Sequence, residues 1–495
     1  MIVSGLLVAG CARDSAVVAG VAPNPERPWT VPRTASYTAK AAGHAESSAG
    51  SVESAGEPHV DAGHAYELAE LIDIAERTNP ETRIAWERAR QAALAMGIVE
   101  SVHGPILSAK ASAAYQRVPL PLPKTALTPQ GFFIADTQIF LPALTLKWLL
   151  FDFGGKQAAI DATSEVLAAA NFGFNATHQK VVFDVTRAYY ALSTAQGRVE
   201  VARAAQRQAR VLQDAAESRR TRGLATLPEV LQARERSARG AYDFQAAIAG
   251  EIDARMALLE AMGVSPTTQL HTASMSGRAV PTMVEETAET LVERALAQRP
   301  DLLARVAIVR AQEAEIRRAQ AEFYPKVSVA GDLGQNIGRI RTSDIPGWAT
   351  VNDVTYGAAI FIEIPLYDGG LRSNRVGVAR SQLKIAEDEL ELTRDKAARQ
   401  VVKAYEDLKV ALRQREAAVA LVLASERSYD AAIDSYRNGV ASLVDVTNAE
   451  TALTRARTAD VDTMSSQYSA IATLAFSTGD LAPPSVEGGG RPRPP

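Results

Sequence analysis

An internal repeat is the feature of this 495-residue sequence that most restricts its fold. Asn79-Pro80 aligns with Arg299-Pro300 at a distance of 220 positions, and Gly223 aligns with Gly439 at a distance of 216. Two constant offsets separated by a single change of four residues are characteristic of a tandem duplication. Repeats at about 64–264 and 286–480 are therefore predicted, with a linker at 265–285 between them.

Each repeat is predicted to contain a helix, two strands, a long helix and a shorter helix, in that order. The first helix ends before a proline, the strands alternate apolar and polar residues, and a glycine turn separates the two later helices. Pro- and Gly-rich loops are expected between the strands at 117–131 and 334–347. The predicted helices include 66–103, 156–222 and 228–262 in the first repeat and 287–323 and 445–477 in the second, and the predicted strands are 106–115, 137–150, 327–333 and 354–367.

Apolar residues at intervals of four and three form a heptad seam along the long helix of each repeat. At 1.5 Å per residue, the helix over 156–222 is roughly 100 Å long. An ordinary long helical bundle has the same periodicity, but it does not account for a strand pair at the same place in both repeats. The seam residues are Val181, Val185, Ala188, Leu192, Ala195, Val199 and Ala202 in the first repeat and Ala397, Val401, Ala404, Leu408 and Ala411 in the second.

Four amphipathic strands in one chain point to association within a membrane. Such a sheet has two unpaired edges, and four strands are too few to enclose a lumen. Three copies would supply twelve strands, enough for a barrel of the outer-membrane type, whose strands have about 9–11 residues and interfacial aromatic residues. Aromatic residues make up only 6% of the sequence, yet they concentrate in these segments. The sequence thus predicts an exported protein that crosses the outer membrane on strands.

The first residues have the pattern of an export signal. Residues 2–8 are apolar, and the following Val8-Ala9-Gly10-Cys11 resembles the lipobox of bacterial lipoproteins, in which the cysteine is acylated. The alternative is a chance apolar start with an ordinary cysteine. Residues 1–10 are therefore predicted to be the signal and Cys11 the lipidation site. Residues 11–63 have the composition of a linker and residues 481–495 that of a disordered tail.

Composition and motifs give no indication of an enzyme or of a nucleic-acid-binding protein. A net charge of −4 supplies no basic field for nucleic acid. A single cysteine and six scattered histidines offer no metal-ligand spacing, so no metal or other cofactor is expected. Asp152-Phe153-Gly154 matches the metal-binding tripeptide of kinases, but the other kinase motifs are missing and the repeat has Asp-Gly-Gly there. These residues are better interpreted as strand-to-helix turns, formed by Asp152 and Gly154 and again by Asp368 and Gly370.

Together, these features resemble the outer membrane factor, or TolC-like, family of Gram-negative export ducts. The resemblance covers about residues 64–480 and depends on the duplication, on the two Gly-containing turns and on three short motifs. These are Leu-Ile-Asp-Ile-Ala with the later Asn-Pro, Leu-Phe-Asp-Phe-Gly-Gly-Lys, and Pro-Leu-Tyr-Asp-Gly-Gly-Leu-Arg. The resemblance implies a mainly α fold with a small β part, in which a homotrimer joins a 12-stranded β-barrel in the outer membrane to a periplasmic α-helical tunnel. It also implies a periplasmic adaptor protein and an inner-membrane transporter as partners.

The resemblance assigns roles to the two turns that separate the later helices. In the family, such turns form the tips of the tunnel, contact the adaptor and lie beside acidic residues that narrow the pore. A first-turn carboxylate favoured by the helix dipole is the alternative interpretation of the acidic residues, and both roles are compatible. The implied tip residues are Gly223, Leu224, Thr226, Leu227, Gly439, Val440, Ser442 and Leu443, and the implied gate residues are Asp445 and its repeat counterpart Glu229.

The sequence leaves three functional hypotheses. The favoured one is a passive outer-membrane exit duct that serves small-molecule efflux. The lipobox modestly favours efflux over protein secretion. The second is the outer-membrane component of a type I protein secretion system. The third, from a different class, is a structural periplasmic coiled-coil protein, which would contain almost no β structure.

Overall fold

The computed structural model describes residues 20–30, 63–121, 123–124, 131–273, 286–342 and 345–481. The proposed signal and Cys11 lie outside these residues. Most of the two linkers and most of the C-terminal tail lie outside them as well. The chain divides into two compact units. The helical unit comprises 1–90, 169–305 and 389–495, and the sheet unit comprises 91–168 and 306–388. Because both repeats contribute to both units, the duplication does not correspond to two separate domains.

The described residues form eight helices and six strands. The helices are α1 (Leu68–Thr78), α2 (Pro80–Val102), α3 (Gly155–Thr221), α4 (Leu227–Met262), α5 (Ala288–Gln298), α6 (Pro300–Ala321), α7 (Leu371–Arg437) and α8 (Leu443–Thr478). The strands are β1 (Ala65–Tyr66), β2 (Ile106–Pro121), β3 (Phe132–Phe151), β4 (His271–Thr272), β5 (Lys326–Thr342) and β6 (Ile345–Glu363). The same order of elements recurs in both repeats, which confirms the mainly helical fold built from duplicated helix–hairpin–long helix–helix units.

The long helices have the predicted lengths, and most of the predicted seam is buried, with Ala188, Ala195 and Ala202 half-buried. α3 and α7 contain 67 residues each, and α4 and α8 contain 36 each. Val185, Leu192 and Val401 are fully buried. In the helical unit, the seam of α3 packs with Leu71 of α1 and Leu258 of α4 into one apolar core. No helix in the described part of the chain is both long enough and apolar enough to cross a bilayer.

The predicted first helix of each repeat is wrong in one respect, because it is two helices instead of one. Asn79 and Arg299 have extended backbone angles and separate α1 from α2 and α5 from α6. Each precedes a proline, whose ring disfavours the helical region for the residue before it. The breaks are used for packing, since Asn79 Nδ2 donates to the Ala261 carbonyl at 2.8 Å and Arg299 Nη1 donates to the Ser477 carbonyl at 3.1 Å.

In the sheet unit, the four long strands form one antiparallel sheet in the order β2-β3-β5-β6. The hairpin β2-β3 comes from the first repeat and β5-β6 from the second, and β3 pairs with β5 across the repeats. Among the described strands, β2 and β6 form the two edges. This sheet contradicts the structural coiled-coil hypothesis, which expected almost no β structure.

The strands are longer than predicted, with 16 to 20 residues each, because the pairing continues into the segments expected to be loops. Residues 117–121 and 334–342 belong to β2 and β5. Glycine in β5 permits this close pairing, since a Cβ at Gly338 would lie 2.9 Å from Ile139 Cγ2. By contrast, the strand predicted over 354–367 ends earlier than predicted, at Glu363.

Part of the segment predicted as a linker is packed against the helical unit. Within residues 20–30, the Trp29 N–H donates to Asn175 Oδ1 at 2.8 Å, and Asn175 Nδ2 donates back to the Trp29 carbonyl at 2.9 Å. Trp86 Nε1 donates to the Ala22 carbonyl at 2.8 Å, and Ala22 packs with the buried ring of Phe174. The composition of this segment therefore gave no indication that it is ordered, and its partners Trp86 and Asn175 lie 64 and 146 residues farther along the chain.

Candidate functional site

The turn between α3 and α4, residues 222–226, is built by a left-handed glycine and a helix cap. Gly223 has a φ of 73°, and the Leu224 N–H donates to the Arg219 carbonyl at 2.8 Å, which closes the end of α3. Thr226 begins α4, where its Oγ1 accepts from the Glu229 N–H at 3.5 Å. Glu229 therefore lies in the first turn of α4, at the positive end of the helix dipole.

The turn between α7 and α8, residues 438–442, has the same construction with a stronger cap. Gly439 has a φ of 80°, and Ser442 and Asp445 form a capping box. The Asp445 Oδ2 accepts from the Ser442 hydroxyl at 2.7 Å and from its N–H at 2.9 Å. These two hydrogen bonds hold the pKa of Asp445 below its ordinary value. Asp445 is therefore ionised, exposed and fixed in orientation.

The two turns, which we call the first and second tip, are packed together within the helical unit. A shared apolar cluster contains Leu212 and Val230 from one side and Tyr436 and Leu443 from the other. The Arg219 guanidinium lies 4.6 Å from the Tyr436 ring centre, and it donates to the Tyr436 carbonyl and to the Leu224 carbonyl. Arg219 thus joins both tips, although the sequence showed only a basic residue near a helix C-terminus.

The tip residues named from the sequence differ in exposure. Leu224 and Leu227 on the first tip are 63% and 51% exposed, and Val440 on the second tip is 84% exposed. Leu443 is only 3% exposed although its repeat counterpart is Leu227. The exposed apolar side chains are thus available to a partner, whereas Leu443 supports the second tip from inside.

A buried ion pair joins α4 to α8 farther along the helices. Glu450 is 1% exposed, and its Oε2 lies 3.3 Å from Arg236 Nε. Arg236 Nη2 also donates to Thr451 Oγ1 at 3.0 Å. Burial raises the pKa of Glu450, and the Arg236 charge opposes that shift. This pair was not predicted from the sequence. The signal for it was the position of Glu450, which takes a core place in the apolar spacing of α8.

The two Asp-containing turns end the strands and begin the long helices. Asp152 Oδ2 accepts from the Lys156 N–H at 2.6 Å, and Gly154 has a φ of 92°. Asp368 accepts from the Gly370 N–H at 3.0 Å and from the Arg372 N–H at 3.1 Å. The Arg372 guanidinium, which also bonds this carboxylate, holds the pKa of Asp368 below its ordinary value.

The sheet has two chemically different faces. Because side chains alternate along a strand, the pairing register assigns each residue to one face. Leu144, Leu333 and Tyr356 share what we call the apolar face, and they are 44%, 51% and 84% exposed. Lys110, Lys147, Asp332, Asn336, Asp353 and Glu363 share the opposite, polar face. Such a division suits a sheet with lipid on one side and water on the other.

None of these sites has the composition of a metal or cofactor site. In the described ranges, no group of three or more His, Cys, Asp or Glu side chains is arranged to hold a metal ion. What the geometry offers is two packed tips with exposed apolar and acidic residues, and a sheet with two chemically different faces whose edges no other described strand covers.

Comparison with known proteins identifies a family pattern along most of the chain. The family model described as "Outer membrane efflux protein" matches residues 71–263 and 291–480. Protein CyaE of Bordetella pertussis is 26% identical over 422 residues, which cover 85% of each chain. Outer membrane protein OprJ of Pseudomonas aeruginosa is 23% identical over 288 residues, covering 58% of this chain and 59% of OprJ.

Comparison with solved structures supports the same fold. The Campylobacter jejuni CmeC outer membrane channel superposes with a TM-score of 0.71 at 20% identity, covering 84% of this chain and 86% of CmeC. At this identity, the similarity concerns the fold alone.

Proposed function

Because the chain belongs to the outer membrane efflux protein family and is thus an outer-membrane channel protein, we propose that it is the exit duct of a tripartite export system. Cargo passes through it passively, from an inner-membrane transporter and a periplasmic adaptor to the outside. Small molecules are the proposed cargo. In this proposal the energy for export is supplied by the transporter.

The single observation that carries this proposal is the sheet with one apolar face and two edges that no other described strand covers. Such edges, here β2 and β6, are a liability unless another strand pairs with them. A homotrimer in which β2 of one copy pairs with β6 of the next closes a barrel of twelve strands, and the apolar faces then point to lipid. The polar faces line the conduit.

The tips are the proposed docking points for the adaptor. Leu224, Leu227 and Val440 supply exposed apolar contact, while Gly223, Gly439, Thr226 and Ser442 shape the two turns. Leu443 supports the contact from the core. Asp445 and Glu229 are the proposed gate residues, because the trimer would bring three copies of each first-turn carboxylate around one axis.

The remaining segments complete the proposed organisation. Residues 1–10 direct export, and acylated Cys11 anchors the chain to the outer membrane. The segment 20–30 then holds the N-terminal region against the helical unit through Trp29 and Asn175. The repeats at 64–264 and 286–480 form the duct, with linkers at 11–63 and 265–285 and a tail at 481–495.

The test uses the purified full-length chain in planar lipid bilayers, combined with its mass in detergent. We expect discrete conductance steps with a preference for cations, and a particle three times the mass of one chain. Protein that sediments with outer membranes but gives no conductance would contradict the channel proposal. A monomer would contradict the shared barrel.

A deletion strain separates the two kinds of cargo. Under the proposal, small hydrophobic dyes and drugs accumulate in cells without the protein, and the accumulation is reversed by the intact gene. If instead a particular protein disappears from the medium and dye accumulation is unchanged, the chain serves type I secretion. The same strain carrying variants of the exposed tip residues shows whether the adaptor contact is required.

A further inference from the structure

Three arginines lie at the hairpin-turn end of the sheet. β2 ends at Pro121 and β5 ends at Thr342, whereas the four junctions between strands and helices are all at the opposite end. Arg117, Arg339 and Arg341 come from the last residues of β2 and β5 before the turns. We call these three residues the arginine cluster.

The cluster occupies two adjacent rows across the apolar face. In one row, the pairing aligns Arg117 with Asp136 and Asp136 with Arg341. In the next row, it aligns Tyr115 with Gln138 and Gln138 with Arg339. At about 4.8 Å between neighbouring strands, the backbones of Arg117 and Arg341 are about 10 Å apart. Three cations and one carboxylate thus share a small patch.

Side-chain contacts fix the patch. Arg341 Nη2 donates to Asp136 Oδ2 at 2.8 Å, the Tyr115 hydroxyl donates to Asp136 Oδ1 at 3.3 Å, and Arg117 Nε lies 3.8 Å from the same carboxylate. Arg339 Nε donates to Gln138 Oε1 at 2.8 Å. Asp136 is 7% exposed under this cover, whereas Arg117 and Arg341 are 59% and 50% exposed.

An aromatic side chain orients two of the guanidinium groups. The Trp348 ring centre lies 4.7 Å from the Arg339 guanidinium carbon and 5.1 Å from that of Arg341. Cation–π contact with this ring holds both guanidinium groups in place. Tryptophan and tyrosine are also the residues that outer-membrane strands place at the level of lipid headgroups. The patch therefore lies where an apolar band meets a polar layer.

Charge balance points to an anionic partner. Among the residues that the structure describes, one arginine is enough to neutralise Asp136, so the patch carries two further positive charges on a face that is otherwise uncharged. Guanidinium groups on a lipid-facing surface are tolerated near headgroups and are costly deeper in the bilayer. Their planar donor forks match phosphate oxygens. A phosphorylated headgroup satisfies charge, geometry and depth together.

We propose that the arginine cluster binds the phosphate groups of a phosphorylated lipid in the outer leaflet of the outer membrane. The inference rests on the proposed function, because the hairpin-turn end faces outward only if the sheet crosses the membrane with the helices on the periplasmic side. Each copy in the trimer then carries one lipid site on its outer surface.

The experiment is native mass spectrometry of the full-length protein in neutral detergent, titrated with diphosphorylated lipid A or with the same lipid after enzymatic dephosphorylation. We expect the phosphorylated form to bind at least about tenfold more tightly. Arg339→Gln should weaken binding of the phosphorylated lipid about tenfold, because one charged donor to phosphate is lost. The fold should be preserved, because Asp136 keeps both of its arginines. Arg339→Lys should restore part of it.

The matched control is Lys147→Gln, which removes one positive charge from the polar face of the same sheet and should leave lipid binding unchanged. Equal binding of the two lipids, or an equal loss in both variants, would overturn the proposal. Conductance measured on the same preparations separates the two inferences. A conducting channel without phosphate preference refutes only the lipid site, whereas absence of conductance removes the membrane orientation and the lipid site with it.

Discussion

Gly263 and Gly479 take the same place in the two repeats, yet their surroundings differ. Both end a helix in the left-handed conformation, with φ values of 70° and 85°. A Cβ at Gly263 would lie 2.8 Å from Asn79 Cα, whereas at Gly479 the nearest atoms are 3.5 Å away. The two glycines differ because the Asn79 backbone lies closer to Gly263 than the Arg299 backbone lies to Gly479.

We therefore expect unequal effects of the same substitution in the two repeats. Gly479→Ala should lower stability by about 1–2 kcal/mol, because alanine is strained at positive φ. Gly263→Ala should cost about 1–3 kcal/mol more, because the Asn79 backbone must move. Thermal unfolding of both variants measures the difference. Equal melting temperatures would show that the approach of Asn79 to the helix end is not tight.

Asp445 has a structural role and a proposed gating role, and two substitutions separate them. Ser442→Ala removes the helix cap and should lower stability by about 1 kcal/mol, while the ion preference of the channel stays unchanged. Asp445→Asn should reduce the preference for cations, measured as a reversal potential across a salt gradient. If the two variants have the same reversal potential as the parent, Asp445 is a capping residue only.

At the scale of whole elements, the sequence allowed most of the fold to be predicted. The seam residues such as Val185 and Val401 specified the long helices, because apolar residues at intervals of four and three over several turns fit a helix and not a strand. The ends of the strands were not predictable in the same way. Gly334 and Gly338 are typical of loops, and only the neighbouring strand shows that they extend β5.

Long-range polar contacts between elements could not be predicted from local patterns either. The contact of Trp29 with Asn175, and that of Arg236 with Glu450, join segments separated by about 150 and 200 residues. In both cases the local sequence resembles an ordinary linker or a solvated helix face. The charge at a core position of α8 was the one visible clue.

The pair of Arg236 and Glu450 makes the α4–α8 contact dependent on pH. Burial raises the pKa of Glu450 above its ordinary 4.5, so the folded protein binds this proton more tightly than the unfolded chain. Its contribution to stability is therefore fully present below 4.5 and is lost as the pH rises through the raised value. Glu450→Gln should abolish that dependence.

The measurement is the melting temperature of both proteins between pH 4.5 and pH 7.5. As the pH rises, the melting temperature of the parent should fall relative to that of Glu450→Gln. The expected fall is about 2–4 °C for each kcal/mol of unfolding free energy that is lost. Arg236 is partly exposed and can still donate to glutamine, so the variant is expected to fold. A difference in melting temperature between the two proteins that is constant across this pH range would contradict the raised pKa of Glu450.

At the scale of the whole molecule, the two faces of the sheet predict opposite responses to the same charge. Leu333 and Asp332 are neighbours in β5 and lie on the apolar and polar faces respectively. Leu333→Arg should cost about 2–4 kcal/mol near the membrane midplane and reduce the amount of protein in the outer membrane. Asp332→Arg should insert normally and weaken the cation preference. The two yields, measured in membrane fractions, test the assignment of the faces.

The unlike edges of the sheet have a genetic consequence. Because β2 belongs to the first repeat and β6 to the second, copies in the proposed trimer meet head to tail, and closure needs both edges of every copy. A copy with one blocked edge can still join one neighbour through the other edge, and it leaves the ring open. If blocked and intact copies mix at random in equal amounts, only about one-eighth of the trimers are fully intact. A mutation in one edge strand is therefore expected to be dominant over a working gene in the same cell.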